Sequence, residues 1–113
     1  MHEMSIAESL IQLLEEQALA QQFSRVRKLW LEIGPLASVD VPSLQFCFEA
    51  VSRHTLAEAA VLEIIEVPGL AWCLGCEARV DIHQRFDACP KCGSYRLQVI
   101  QGDELRVKEL EVD

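Results

Sequence analysis

Four cysteines carry the clearest chemistry in this chain. They read "CLGC" at 73–76 and "CPKC" at 89–92, with twelve residues between the pairs. Two intervening residues let a tight turn aim both sulfurs of a pair at one point. Gly75 and Gly93 supply permissive backbone for such knuckles. Two facing knuckles make a tetrahedral cage of Cys73, Cys76, Cys89 and Cys92, with Zn–S distances of about 2.3 Å. An all-sulfur tetrahedral site favours Zn(II), with iron as its main rival. Four thiolates saturate the ion and leave no position for water or substrate. Such a site holds a fold together and does not activate a nucleophile. A thiol-disulfide enzyme would carry a single motif at a helix start, and two mutually spaced motifs fit that poorly.

The second constellation is the opening "MHEMS". An α-amine with a pKa of about 7.7–8 loses its proton readily near neutrality. The imidazole of His2 can close chelate rings with the Met1 amine and the amide between them. The amide of Glu3 would complete a planar set of nitrogens. Square-planar nitrogen suits Ni(II) or Cu(II) better than zinc. Glu3 could add an oxygen ligand or steer the cation. Taken alone, these residues leave open whether His2 is a ligand or a chance residue on a frayed end.

The totals narrow the function classes. The 113 residues fit one domain with a small stapled insert, and a core of this size gains from a bound metal. Eighteen acids against 10 bases give a net charge of -8, which disfavours binding to a phosphate backbone. Residues 73–98 mix Arg79, Arg85, Lys91 and Arg96 with Glu77, Asp81 and Asp87, so the cysteine region shows no basic stripe for nucleic acid. No apolar run approaches the roughly 18 residues of a membrane span, and no signal peptide is visible. Five cysteines without an export signal point to a reducing compartment, the cytoplasm. No catalytic constellation is visible, so the expectation is a protein that is not an enzyme.

The elements that must position these groups follow from periodicity. From Glu3 to about Gln22, Ile6, Leu10, Leu13, Leu14 and Ala18 recur at helical steps. Ser5 and Glu8 match a capping box, which would leave the first four residues ahead of the helix. Arg25–Gly34 alternates as a strand, with Leu29, Leu31 and Ile33 on one face and Val26 and Trp30 on the other. Pro42 opens a second helix with the stripe Leu44, Cys47, Phe48 and Val51, ending near His54. Ala59–Gly69 is a second strand. Glu104–Val112 is a third, in which a bulge would bring Leu105, Val107, Leu110 and Val112 to one face. The expected fold is α+β: two helices on a three-stranded sheet, with an inserted four-cysteine, zinc-ribbon-like lobe. The domain boundaries read as 1–69 completed by 100–113, with the insert at 70–99. Cys47 reads as a small buried hydrophobe, His54 as a helix-end residue and His83 as an exposed loop residue. Trp30 and Trp72 read as packing residues. An exposed strand edge would allow segments to be exchanged between two copies, giving a homodimer.

The order "MHE", amphipathic helix, "LEIGPLASV", "CLGC…CPKCGS" and "GDELRVKELEV" resembles the HypA/HybF family over essentially the whole chain. These are nickel metallochaperones for [NiFe]-hydrogenase maturation. The resemblance implies a nickel-binding α+β domain with a zinc lobe inserted before its last strand. By position it makes His2 the nickel ligand, with the Met1 amine contributing and Glu3 in the same motif, and makes the four cysteines the zinc ligands. It implies Ni(II) as cargo, delivered to the hydrogenase large-subunit precursor in concert with a maturation GTPase. The family pattern has glycines near "HTLAEAA", where this chain has His54 and Ala59. The competing reading is a zinc-ribbon protein-interaction module without nickel transport.

Overall fold

The computed structural model describes residues 2–113. Helix α1 (Glu3–Gln21) leads to strand β1 (Val26–Ile33), a 3-10 turn (Pro35–Ala37) and helix α2 (Val41–Ser52). Five strands follow: β2 (Val61–Glu66), β3 (Leu70–Cys73), β4 (Ala78–Asp81), β5 (Leu97–Gln101) and β6 (Leu105–Val112). They form two three-stranded sheets, ordered β2-β1-β6 and β4-β3-β5. The fold is α+β with two helices, and the cysteine region carries a sheet of its own.

The chain gathers into two compact units. One takes the chain up to Leu31 with Val39–Ile64 and Val107–Asp113; the other takes Glu32–Ser38 and Ile65–Arg106. In the first, Ala7, Leu10, Ile11 and Leu14 form the buried stripe of α1. The expected stripe is thus rotated: Ile11 goes in, while Leu13 is 37% exposed. Leu29 and Leu31 of β1 and Leu44 and Phe48 of α2 are buried as anticipated. Val26 is also fully buried, on the other parity, and its N–H donates to the Leu56 carbonyl at 2.9 Å.

Helix α1 starts earlier than the Ser5–Glu8 box suggests. His2 is the N-cap, and its carbonyl accepts from the Ile6 N–H at 3.0 Å. Glu3 and Met4 therefore lie inside the helix. The reason is not local: Glu3 Oε2 accepts from the Asp40 N–H at 3.3 Å, so the first turn is tied to the start of α2. There Asp40 caps α2 through Oδ1, which accepts from the Ser43 N–H at 3.2 Å, and Pro42 occupies the first turn.

The turn after α2 puts two ordinary residues in left-handed backbone, His54 (φ 63°) and Ala59 (φ 64°). The family resemblance implies glycines near this stretch. The backbone keeps a glycine-like path and bears the Cβ cost. Ala59→Gly is therefore expected to raise stability by about 0.5–1 kcal/mol, read as a higher urea midpoint at unchanged slope.

Strand β6 departs from expectation. None of Leu105, Val107, Leu110 and Val112 is buried, and Leu105 and Val112 are 37% and 39% exposed. The strand lies at the edge of its sheet, where its side chains gain only partial cover. In the second unit, Leu36, Ala71, Cys73, Val80, Ile82 and Cys89 form the core, with Leu97 packed against it. A close backbone crossing closes this unit. A Cβ on Gly34 would fall 2.0 Å from the Gly102 carbonyl oxygen, and Gly102 itself has φ 116°. Across this crossing the Leu36 N–H donates to the Gly102 carbonyl at 2.7 Å.

Candidate metal centres

Strand β3 delivers the first cysteine pair. It ends on Cys73, which is fully buried, and the chain turns through 74–77 into β4. The Cys76 N–H points back to Cys73 Sγ at 3.5 Å. The left-handed residue of this knuckle is Glu77 (φ 53°), not Gly75. Gly75 is needed for room instead: a Cβ there would lie 2.8 Å from Ser94 Cβ. In the second knuckle the Cys89 N–H donates to the Ser94 carbonyl at 2.7 Å, and the Gly93 N–H donates to the Cys89 carbonyl at 2.8 Å. Gly93 adopts φ 79°, as its permissive role requires. The Leu74 N–H donates to the Arg96 carbonyl at 2.9 Å and laces the two knuckles together.

The four sulfurs converge. Cys73 and Cys92 Sγ are 3.6 Å apart, Cys76 and Cys89 Sγ are 3.8 Å apart, and all four lie within 4.8 Å of one another. Four sulfurs at the Zn–S bond length around a tetrahedral centre are about 3.8 Å apart. The spacing is far beyond a disulfide bond of about 2.05 Å, and the thiols are free. The donor set and its size fit structural zinc. Zinc there would supply a fixed crosslink between the two knuckles.

Backbone dipoles prepare the site for a cation. Burial works against ionising Cys89, but the N–H groups of Cys92 and Lys91, each 3.4 Å from its sulfur, outweigh burial. The Cys89 thiol is drawn down to about 6. Burial, together with hydrogen bonds to Cys73 and Cys89, pushes Cys76 up to about 12. The Ser94 N–H favours the Cys92 thiolate, yet Cys73, burial and Cys89 prevail and raise it. Four thiolates crowded together cannot all ionise unaided. A dication removes that obstacle, so metal uptake expels protons and acid reverses it.

The chain start is built differently. His2 is exposed at the head of α1, and its imidazole makes no capping bond. Glu3 is half-buried, with one carboxylate oxygen turned to the Asp40 N–H. Asp40 is the residue that sequence reasoning missed here. It is 37 positions away from Glu3, and no local pattern announces the contact. Met1 lies outside the described residues. His54 and His83 are exposed and Cys47 is half-buried; none of them joins the sulfur cluster. Trp72, expected to pack, is 39% exposed. Trp30 is half-buried, with Lys28 Nζ 4.7 Å from its ring centroid.

Comparison with known proteins gives the same picture along the full length. Residues 1–112 match the profile of the family described as HypA, hydrogenase/urease nickel incorporation, metallochaperone. The chain is 74% identical over 113 residues to the hydrogenase maturation factor HypA of Azotobacter chroococcum mcd 1, covering all of both chains. It is likewise 74% identical to that of Azotobacter vinelandii, again with full coverage. Among solved structures, it is similar to the solution structure of the Ni metallochaperone HypA from Helicobacter pylori. That match has a TM-score of 0.71 and 29% identity, and covers 99% of this chain and 97% of the other. The chain belongs to the HypA family of nickel-incorporation metallochaperones and hydrogenase maturation factors.

Proposed function

We propose that the protein carries Ni(II) at the start of its chain and passes it to the large-subunit precursor of a [NiFe]-hydrogenase. A maturation GTPase would act with it. The whole-length match to a nickel-incorporation family carries this reading. The exposed position of His2 supports it, because a carrier must yield its cargo to incoming ligands. The His2 imidazole, the Met1 amine and the intervening amides would hold the ion. Acceptor ligands could then replace these nitrogens one at a time. Glu3, with one oxygen engaged on Asp40, would fix the approach of the chain start to α2 and bias the site toward cations.

The zinc cage has the opposite design: all sulfur, partly buried and saturated. We assign it to Cys73, Cys76, Cys89 and Cys92 as scaffolding. The saturated zinc cage offers no open position, and the proposed role is carriage and not catalysis. Four unbridged thiols suit the reducing cytoplasm. Among the described residues, no helix is long and apolar enough to cross a membrane.

A tag fused directly to Met1 tests the terminal ligand set. It turns the amine into an amide and removes the most basic nitrogen. Nickel affinity by equilibrium dialysis is expected to fall at least about tenfold, with zinc content unchanged. Equal affinity of tagged and free chains would contradict an amine ligand.

A further inference from the structure

We propose that Cys76 and Cys92 are sites of oxidation by hydroperoxides, and that this oxidation replaces the zinc cage with two disulfides between the knuckles, Cys73–Cys92 and Cys76–Cys89. The inference rests on the reading of the four cysteines as a zinc cage and goes beyond it. Each knuckle has one buried and one open sulfur. Cys73 and Cys89 are 0% and 3% exposed and belong to the core of their unit, whereas Cys76 and Cys92 are exposed. The contacts cross over. Cys73 Sγ lies 3.6 Å from Cys92 Sγ, and Cys76 Sγ lies 3.8 Å from Cys89 Sγ. Each exposed sulfur thus has a buried sulfur of the opposite knuckle beside it. An accessible cysteine poised next to a resolving one is the arrangement that oxidant-sensing sites use.

The thiolate is the nucleophilic form of cysteine, and metal ligation holds cysteine in that form. Each pair then reacts in two steps. The Cys92 thiolate attacks one oxygen of hydrogen peroxide, the O–O bond breaks, hydroxide leaves and Cys92 becomes a sulfenic acid. The Cys73 thiolate attacks the Cys92 sulfur, expels a second hydroxide and forms the S–S bond. Cys76 and Cys89 repeat the sequence. Two peroxides are reduced, four thiolates are oxidised to two disulfides, and Zn(II) departs with its charge unchanged.

The backbone suits this crosswise pairing. Reaching the disulfide bond length of about 2.05 Å asks each pair of sulfurs to close by about 1.5–1.8 Å. The knuckles themselves are held in place meanwhile. The Leu74 N–H donates to the Arg96 carbonyl at 2.9 Å, and the Cys89 N–H to the Ser94 carbonyl at 2.7 Å. A bond within a knuckle would span three positions, whereas the crosswise bonds span 19 and 13. Longer loops constrain the unfolded chain more. A bond between knuckles also takes over the crosslink that zinc supplied, so the unit stays folded after the metal has gone. Among the described residues Cys47 lies outside the cluster and takes no part.

Hydrogen peroxide titrated into the untagged, zinc-loaded chain tests the proposal. A chromogenic chelator reads the released zinc, and tryptic mass mapping without reduction reads the disulfides. Trypsin cuts after Lys91, between Cys89 and Cys92, and after Arg79 and Arg85, which frees both from the peptide that holds Cys73 and Cys76. One zinc should be released per two peroxides consumed, and the three peptides should travel as one disulfide-linked species. Fragmentation between Cys73 and Cys76 should place Cys92 on Cys73 and Cys89 on Cys76. The oxidised unit should resist limited proteolysis, and zinc removal by a chelator without oxidation should open it to cleavage. Cys47→Ser should give the same map and the same zinc release. A Cys89–Cys92 peptide pair detached from the third peptide, the opposite assignment across the knuckles, sulfinic acids in place of disulfides, or zinc retained while peroxide is consumed would each overturn the proposal. Zinc content before oxidation tests the cage assignment separately, and the map decides the pairing whatever metal the starting protein holds.

Discussion

Cys73→Ser or Cys89→Ser will empty the zinc site and disorder the unit that contains it. Each change removes one of four sulfurs that converge within 4.8 Å. Each also alters a core residue, since Cys73 is fully buried and Cys89 is 3% exposed. The core they share is small and includes the two cysteines themselves. A structural zinc site contributes roughly 10–16 kcal/mol of folding free energy. That is as large as the whole stability of a typical domain, about 5–15 kcal/mol. Losing most of it leaves a unit that cannot stay folded on apolar burial. Cys76 and Cys92 are exposed, so their serine variants lose the metal without the added core penalty. Metal analysis with limited proteolysis between Ile65 and Arg106 reads both effects. The expected order is zinc loss in all four variants and the fastest cleavage in those at 73 and 89. Stoichiometric zinc in any one variant would remove that cysteine from the ligand set.

His2→Ala will abolish nickel uptake and leave the fold and its zinc intact. The side chain is exposed and makes no capping bond. A substitution of this kind shifts stability by no more than about 0.5 kcal/mol. The helix is secured by its buried stripe and by the Glu3–Asp40 contact, neither of which uses the imidazole. Nickel, in contrast, loses its anchoring nitrogen, and the remaining amine and amides chelate poorly without it. The unaltered protein should bind more tightly as pH rises, because nickel competes with protons for every nitrogen in the set. Isothermal titration at several pH values checks both statements. Tight, unchanged nickel binding in His2→Ala would refute the assignment.

Local rules govern the parts that are legible in the sequence. Pro42 marks the start of α2, and the alternation of Leu29, Leu31 and Ile33 marks the inward face of β1. The spacing of the two CxxC pairs announces that four sulfurs will meet. What escapes is decided at long range or by very short elements. The start of α1 is hidden because Glu3 answers to Asp40, which lies far along the chain. The strands β3 and β4 have four residues each, too few for alternation to stand out against the cysteine turns. The spacing reads the four cysteines as ligands only, whereas Cys73 and Cys89 also pack in the core. The β6 pattern implies burial that an edge strand does not receive. Gly75 resembles a turn residue and proves to be a matter of space beside Ser94.

The proposed function divides the labour between two metal centres, one fixed as scaffold and one loaded as cargo. Metal content, element by element, distinguishes them in the tag-free protein and its His2→Ala variant after exposure to both ions and dialysis. Equal stoichiometric zinc is expected in both proteins, and nickel only where His2 is present. Nickel retained equally by both, or absent from the unaltered protein, would overturn the division.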